Sequence, residues 1–173
     1  SVFEATFGDR RFQPSLIQQE LVLAGRLGRK SGRDFYDYAS GATRPAPVVL
    51  PSHAGPAKAA MLGDLGPMAA LADRLNGAGV EVERINGAGT LVAGTATLAL
   101  TDGRTATQRS VDEKTPNLVL VDLALDYAGA KHLAIARSDQ CSEEALGDAV
   151  GLLQAAGIEV SPVDEVAGML AMR

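Results

Sequence analysis

The sequence predicts an α/β protein: a three-layer α/β/α domain on a mostly parallel sheet, preceded by a short helical tail. Three observations carry this. From about residue 57 onward, short apolar runs alternate with helical patterns, the order expected of successive βα units. Leu118-Val-Leu-Val-Asp122 is a nearly continuous apolar run, as expected of a central strand covered on both faces. The aromatic residues Phe3, Phe7, Phe12, Phe35, Tyr36 and Tyr38 crowd the first 38 residues and only Tyr127 follows, so the front of the chain packs by other means than the rest.

Taken in order, the elements have local causes. Ser15 after Pro14 is a good N-cap, Gln18 stands where a capping box needs it, and Gly25 supplies a stop, so residues 15–24 form a short helix. Ser40-Gly-Ala-Thr-Arg-Pro-Ala-Pro47 is rich in small residues and proline, which favours an extended connection and a boundary near 40–47. A strand is expected at 57–62. A helix then runs from Gly66 or Pro67 to Asn76, with Met68, Leu71, Ala72 and Leu75 as its apolar stripe. Val80-Glu-Val-Glu-Arg-Ile85 alternates as a strand, Leu91 and Val92 form a short strand or hairpin arm, and 97–101 is the next strand. Asp102-Gly103 turns the chain into a helix over 104–113. Strands at 118–122 and 132–136, a helix over 145–156 capped by Ser142, and a last strand at 158–163 complete the layer. The domain is Rossmann-like in this order of elements.

Composition narrows the function. A net charge of −5 leaves no broad basic field for nucleic acid, although Arg26, Arg29, Lys30 and Arg33 form a local basic cluster. One cysteine, Cys141, cannot form an internal disulfide and fits a reducing compartment. No apolar run is long enough to span a bilayer, and no charged segment leads an apolar one at the start, so no membrane is expected and the reading is cytoplasmic.

The places where α/β chemistry should lie are poorly furnished. A dinucleotide site needs glycines between the first strand and its helix, so that the backbone can approach a pyrophosphate at a helix N-terminus. Here stands Gly63-Asp-Leu-Gly66, short of the fingerprint, with Asp64 where phosphates would sit. It reads as a plain strand-to-helix turn. Gly87-Ala-Gly-Thr90 also follows a strand, but Val92 takes the third glycine position and a β-like stretch comes next, so it reads as a Gly-rich hairpin or loop. The Asn-Gly-Ala-Gly at 76–79 and its repeat at 86–89 are helix end and turn. His53 and His132 have no second ligand at metal spacing. Cys141 precedes a helix N-terminus, which lowers thiol pKa values, yet it has no partner base; a small residue in a cap region is the plainer reading. Asp122 and Asp126 flank the end of the 118–122 strand and read as helix-capping or solvated groups. No catalytic, cofactor-binding or metal-binding residue is expected within the chain.

Gly25-Arg-Leu-Gly-Arg-Lys-Ser-Gly-Arg-Asp-Phe-Tyr-Asp-Tyr38 resembles the run GRLGRKTGRGFYDY that closes the helical C-terminal domain of 3-hydroxyacyl-CoA dehydrogenases, with Asp34 in place of the usual glycine. Upstream, residues 3–17 resemble the family's FGDPRFRPSLL approach to its last helix. Residues 132–163 resemble the second half of the family's NAD-binding domain, and Glu165-Val-Ala-Gly-Met-Leu-Ala-Met-Arg173 stands where the family has D-x-P-G-F-x-x-N-R. Gly168 and Arg173 match that motif, while Ala167, Met169 and Met172 depart from it. The arrangement is similar to the long bacterial members, including 3-hydroxyadipyl-CoA enzymes of phenylacetate breakdown. This resemblance implies that 1–40 end a helical dehydrogenase domain, 41–56 link, 57–165 form a degenerate Rossmann-like domain, and 166–173 begin the connection to a further helical domain.

It further implies a parent enzyme, likewise homodimeric, that oxidises 3-hydroxyacyl-CoA to 3-ketoacyl-CoA with NAD and a histidine base. The serine and the histidine–glutamate pair of that reaction find no match here. The chain is then expected to be a non-catalytic scaffold whose partners are the remainder of its own polypeptide and, through the parent, acyl-CoA. An autonomous nucleotide- or CoA-binding module at the end of 118–122, and a dimerisation element built on the aromatics of 1–38, are the alternatives.

Overall fold

The computed structural model describes residues 2–43 and 46–170, with only the backbone described for Val2 and Phe3. The chain divides into two compact units, Ser1–Ala46 and Pro47–Arg173.

The first unit holds α1 (Val2–Ala5), a 3₁₀ turn (Arg10–Phe12) and α2 (Leu16–Leu23). The α2 helix begins as its sequence dictates: the Gln18 N–H donates to Ser15 Oγ at 3.2 Å and the Ser15 N–H to Gln18 Oε1 at 2.9 Å. It ends at Gly25, whose φ of +71° allows the Arg26 N–H to reach the Leu21 carbonyl at 2.8 Å. That Schellman closure satisfies carbonyls the helix would otherwise leave orphaned. No face of α2 is buried: Leu16, Ile17, Val22 and Leu23 are each at least 55% exposed.

The second unit is a seven-stranded sheet in the order β2-β1-β3-β4-β5-β6-β7. Its elements are β1 (Lys58–Leu62), a 3₁₀ turn (Gly66–Ala69) leading into α3 (Ala70–Gly77), β2 (Glu81–Ile85), β3 (Thr90–Ala93) and β4 (Ala96–Leu100). Then come α4 (Ala106–Glu113), β5 (Leu118–Val121), β6 (His132–Arg137), α5 (Glu143–Ala155) and β7 (Glu159–Pro162). The fold is α/β and Rossmann-like. Parallel pairing occurs inside each β-α-β unit, as β1·β2, β4·β5 and β6·β7. The joints between units, β1·β3, β3·β4 and β5·β6, are antiparallel, which makes the sheet mixed.

Connection length explains the joints. A parallel neighbour needs a crossover of about a dozen residues or more, and neither the two-residue turn Gly94-Thr95 nor the ten residues 122–131 provides one. The middle strand is β4. β5 lies one place further along, fully buried on both faces.

On one face α3 and α5 cover the sheet, burying Leu71, Leu75, Leu91, Leu98, Val121, Ile135 and Leu153 in a single core. On the other, α4 covers Ala99, Leu118, Leu120 and Ala136. No helix among the described residues is long and apolar enough to cross a membrane.

The connection expected over 41–56 is not free along its whole length, since from Pro47 on it packs on the second unit. The Leu50 N–H donates to the Val160 carbonyl at 2.8 Å, Ser161 Oγ donates to Val48 O, and Gln154 accepts the His53 N–H at 2.9 Å. An edge strand leaves backbone groups unpaired, and this strap takes up part of that edge on β7. Glycines permit the contact, because a Cβ on Gly151 would stand 2.7 Å from Gly55 Cα.

Candidate functional site at the C-terminal end of β1

The site to test is the end of β1, where a doubly wound sheet receives a dinucleotide. In the order β2-β1-β3, the chain leaving β2 must cross the end of β1 to enter β3. Ile85 and Thr90 both pair with Leu62, so residues 86–89 span two interstrand spacings, about 10 Å, directly over that strand end. The Gly63 N–H donates to the Ile85 carbonyl and the Gly89 N–H to the Leu62 carbonyl, each at 2.7 Å. A Cβ on Gly63 would lie 2.1 Å from Gly87 O, and one on Gly89 2.6 Å from Asp64 O. The two glycine motifs therefore serve each other by backbone-to-backbone approach.

Asp64 completes the closure. Its Oδ1 accepts the Gly66 N–H at 2.8 Å, so the chain's own carboxylate occupies the donor that a phosphate would use. Gly66 opens a 3₁₀ turn whose N-cap residue, Leu65, makes no side-chain bond of its own, before α3 proper. The open depression beside it, about 480 Å³, is lined by Met61, Asp64, Ala69, Arg84 and Asn86. Its one cation, Arg84, lies 3.7 Å from Asp73. These residues do not fit a dinucleotide.

The remaining sequence candidates fall apart in space. Asp126 caps the turn after it, accepting the Ala128 N–H at 2.9 Å and the Gly129 N–H at 3.1 Å. Asp122 is not a solvated or helix-capping group as expected: it is 6% exposed, and its Oδ1 accepts the Leu123 N–H at 2.9 Å. Burial follows from its place in the row Leu118, Leu120, Asp122 on the face that α4 covers. His132 bridges to β7, with Nε2 2.9 Å from Ser161 Oγ. The backbone of His53 is held by Gln154. Cys141 is buried before α5, and burial pushes its thiol up, against the lowering a helix start confers; Arg137 opposes that shift and Glu143 adds to it. Among the described residues no group of three His, Cys, Asp or Glu side chains could hold a metal.

Residues that sequence reasoning passed over do the structural work near the strand ends. Tyr127 is buried and donates to the Asp122 carbonyl at 2.6 Å; burial pushes its hydroxyl up to about 12. Arg104 is held by Asp102, Asp112 and Glu113 at 2.6, 3.0 and 2.6 Å, and Glu113 also takes Arg109 at 2.9 Å. That network is closed on itself. The eroded motif at 165–173 keeps a packing role: Met169 is fully buried against Leu118, Leu120 and Ala136, after Gly168 with φ +78°. Met172 and Arg173 lie outside the described residues.

Glu165 sits at the start of α4, accepting the Thr107 N–H at 2.5 Å and the Thr107 hydroxyl at 2.8 Å. Burial pushes its carboxyl up, but the bonds from Thr107 and the Thr105 side chain outweigh this and hold it below the ordinary glutamate range. A lowered carboxylate confers stability that is complete above its unfolded pKa and lost as pH falls through the folded value. Glu165→Gln is therefore expected to cost about 1 kcal/mol at about pH 7, and the gap from the unaltered chain to narrow in urea titrations as pH falls below the ordinary glutamate range. A gap independent of pH would rule out the charge as its cause.

Comparison with known proteins places these features. The family description "3-hydroxyacyl-CoA dehydrogenase, C-terminal domain" matches residues 1–38, and "3-hydroxybutyryl-CoA dehydrogenase reduced Rossmann-fold domain" matches 98–166, which begins within β4. A 3-hydroxyadipyl-CoA dehydrogenase of Escherichia coli K12 is 63% identical over 38 residues, 22% of this chain and 8% of that protein. The crystal structure of a 3-hydroxybutyryl-CoA dehydrogenase from Escherichia coli K12 aligns with a TM-score of 0.69 at 28% identity, covering 99% of this chain and 30% of that one. The matched stretch thus covers less than a third of the length of either relative.

Proposed function

We propose that this chain, which carries two segments of the 3-hydroxyacyl-CoA dehydrogenase family, is a non-catalytic scaffold within an NAD-dependent enzyme that oxidises 3-hydroxyacyl-CoA. The carrying observation is the crossing of residues 86–89 over the end of β1, locked by Gly63, Gly87 and Gly89 and completed by Asp64. A strand end closed by its own backbone has no room for a pyrophosphate, and a carboxylate already takes its nearest amide donor. On this reading the parent works in the cytoplasm on fatty-acid or aromatic-acid intermediates such as those of phenylacetate breakdown, and NAD and acyl-CoA bind to parts of it other than this α/β unit.

The direct test is turnover. With 3-hydroxybutyryl-CoA and NAD, the chain alone is expected to form no NADH above background. Measurable turnover would overturn the scaffold reading.

A module binding nucleotide or CoA at the end of β5 is less well supported, because the buried group there is the acidic Asp122. A dimerisation role for the first unit is favoured by a specific feature, the exposed Leu16, Ile17, Val22 and Leu23 along α2. Sedimentation that shows only monomer at high concentration would remove it.

A further inference from the structure

We propose that the loop over residues 25–38 is a nucleotide-binding surface, its cations receiving the phosphates and its tyrosines the base. Charge is divided unevenly along the chain: residues 1–46 hold seven Lys and Arg against five Asp and Glu, whereas 47–173 hold nine against sixteen. Four of those seven, Arg26, Arg29, Lys30 and Arg33, stand within eight residues and are exposed. Among the described residues none of the four is ion-paired to a carboxylate.

Neither acidic side chain of the loop is ion-paired with them. Asp34 accepts the Tyr36 N–H at 2.9 Å and the Tyr38 hydroxyl at 3.2 Å, and Asp37 accepts the Ala39 N–H at 2.9 Å. Both carboxylates are spent on shaping the loop.

The loop is also organised before any ligand arrives. Its backbone closes on itself through Gly28 to Arg33 and Arg33 to Asp37 bridges, and Ser31 Oγ accepts the Leu27 N–H at 2.6 Å and donates to the Arg33 carbonyl at 3.0 Å. Little ordering is then left to oppose binding. Arg29 lies over the Tyr38 ring, 5.7 Å from its centroid, and the concavity beside them, about 530 Å³, is lined by Arg29, Tyr36, Asp37, Tyr38, Ala39 and Ala42. Unpaired cations alone would suit any polyanion. Arg29 beside the exposed rings of Tyr36 and Tyr38, with the other three cations elsewhere on the same loop, suits a polyanion that carries a flat ring, which is a nucleotide.

The test is calorimetric titration of the full chain with ADP, adenosine and inorganic pyrophosphate at about 50 mM salt. ADP is expected to bind saturably, about tenfold or more tighter than either fragment, and to weaken at about 200 mM salt. The triple variant R29Q/K30Q/R33Q, altered only at exposed tips, is expected to lose that binding while its melting temperature stays unchanged. The proposal is overturned if ADP does not saturate, if pyrophosphate binds as tightly as ADP, or if a triple variant with unchanged melting binds like the parent chain. Since these arms use no NAD turnover, they fail or succeed independently of the scaffold reading.

Discussion

Gly63→Ala is expected to destabilise the α/β unit by about 3 kcal/mol, a fall of roughly 10 °C in melting temperature. Two costs add. Gly63 holds φ at +74°, where an L side chain costs about 1 to 2 kcal/mol. Its new Cβ would also stand 2.1 Å from Gly87 O and 2.6 Å from Gly87 C. Both are backbone atoms, fixed by the crossing bonds at Gly63 and Gly89, so relief requires moving the whole loop, which costs about 1 to 3 kcal/mol more.

Gly66 is the natural comparison. Its φ is also positive, at +55°, but a Cβ there meets nothing within 4 Å, so Gly66→Ala is expected to cost only about 1 kcal/mol. Urea unfolding of the two variants separates the readings. Equal losses would mean that residues 86–89 do not press on the end of β1, and that the strand end is open to a ligand after all.

The contrast between these glycines shows what the sequence could and could not convey. Ser15, Gln18 and Gly25 determine α2 within a dozen residues, and the structure has the capping box and the Schellman closure where they were expected. The seven strands are likewise legible, because period and flanking turn residues act locally. The antiparallel joints are not, since strand order decides whether a short connection turns back beside its strand or crosses another. Residues 86–89 read correctly as a loop, yet nothing in them announces that β1 ends beneath them. Asp122 failed for the same reason: its burial depends on α4 and on strands distant in sequence. The glycines were visible as candidates, and only their neighbours show that their freedom is used for packing.

Arg74→Ala is the second large effect, expected to cost about 2 to 4 kcal/mol. Arg74 stands in the last turn of α3 with its guanidinium spread over three carbonyls: Nη1 donates to Tyr127 O at 3.0 Å and Ala130 O at 2.6 Å, and Nη2 to Ala156 O at 2.5 Å. Ala156 is the C-cap of α5, so the cation also meets the negative end of that helix. One side chain thereby joins α3, α5 and the antiparallel joint 122–131, which has no helix or strand of its own. Removing it strands partly buried carbonyls, and Arg74→Lys should recover only part of the loss, because one ammonium cannot reproduce the fork. The clamp predicts a local signature as well. In Arg74→Ala the amides of 123–130 should exchange faster while those of β4 and β5 keep their protection up to the global limit. A loss of protection spread evenly over the sheet would show that Arg74 contributes bulk packing, and that the joint between the second and third β-α-β units is held by Tyr127 and Asp126 alone.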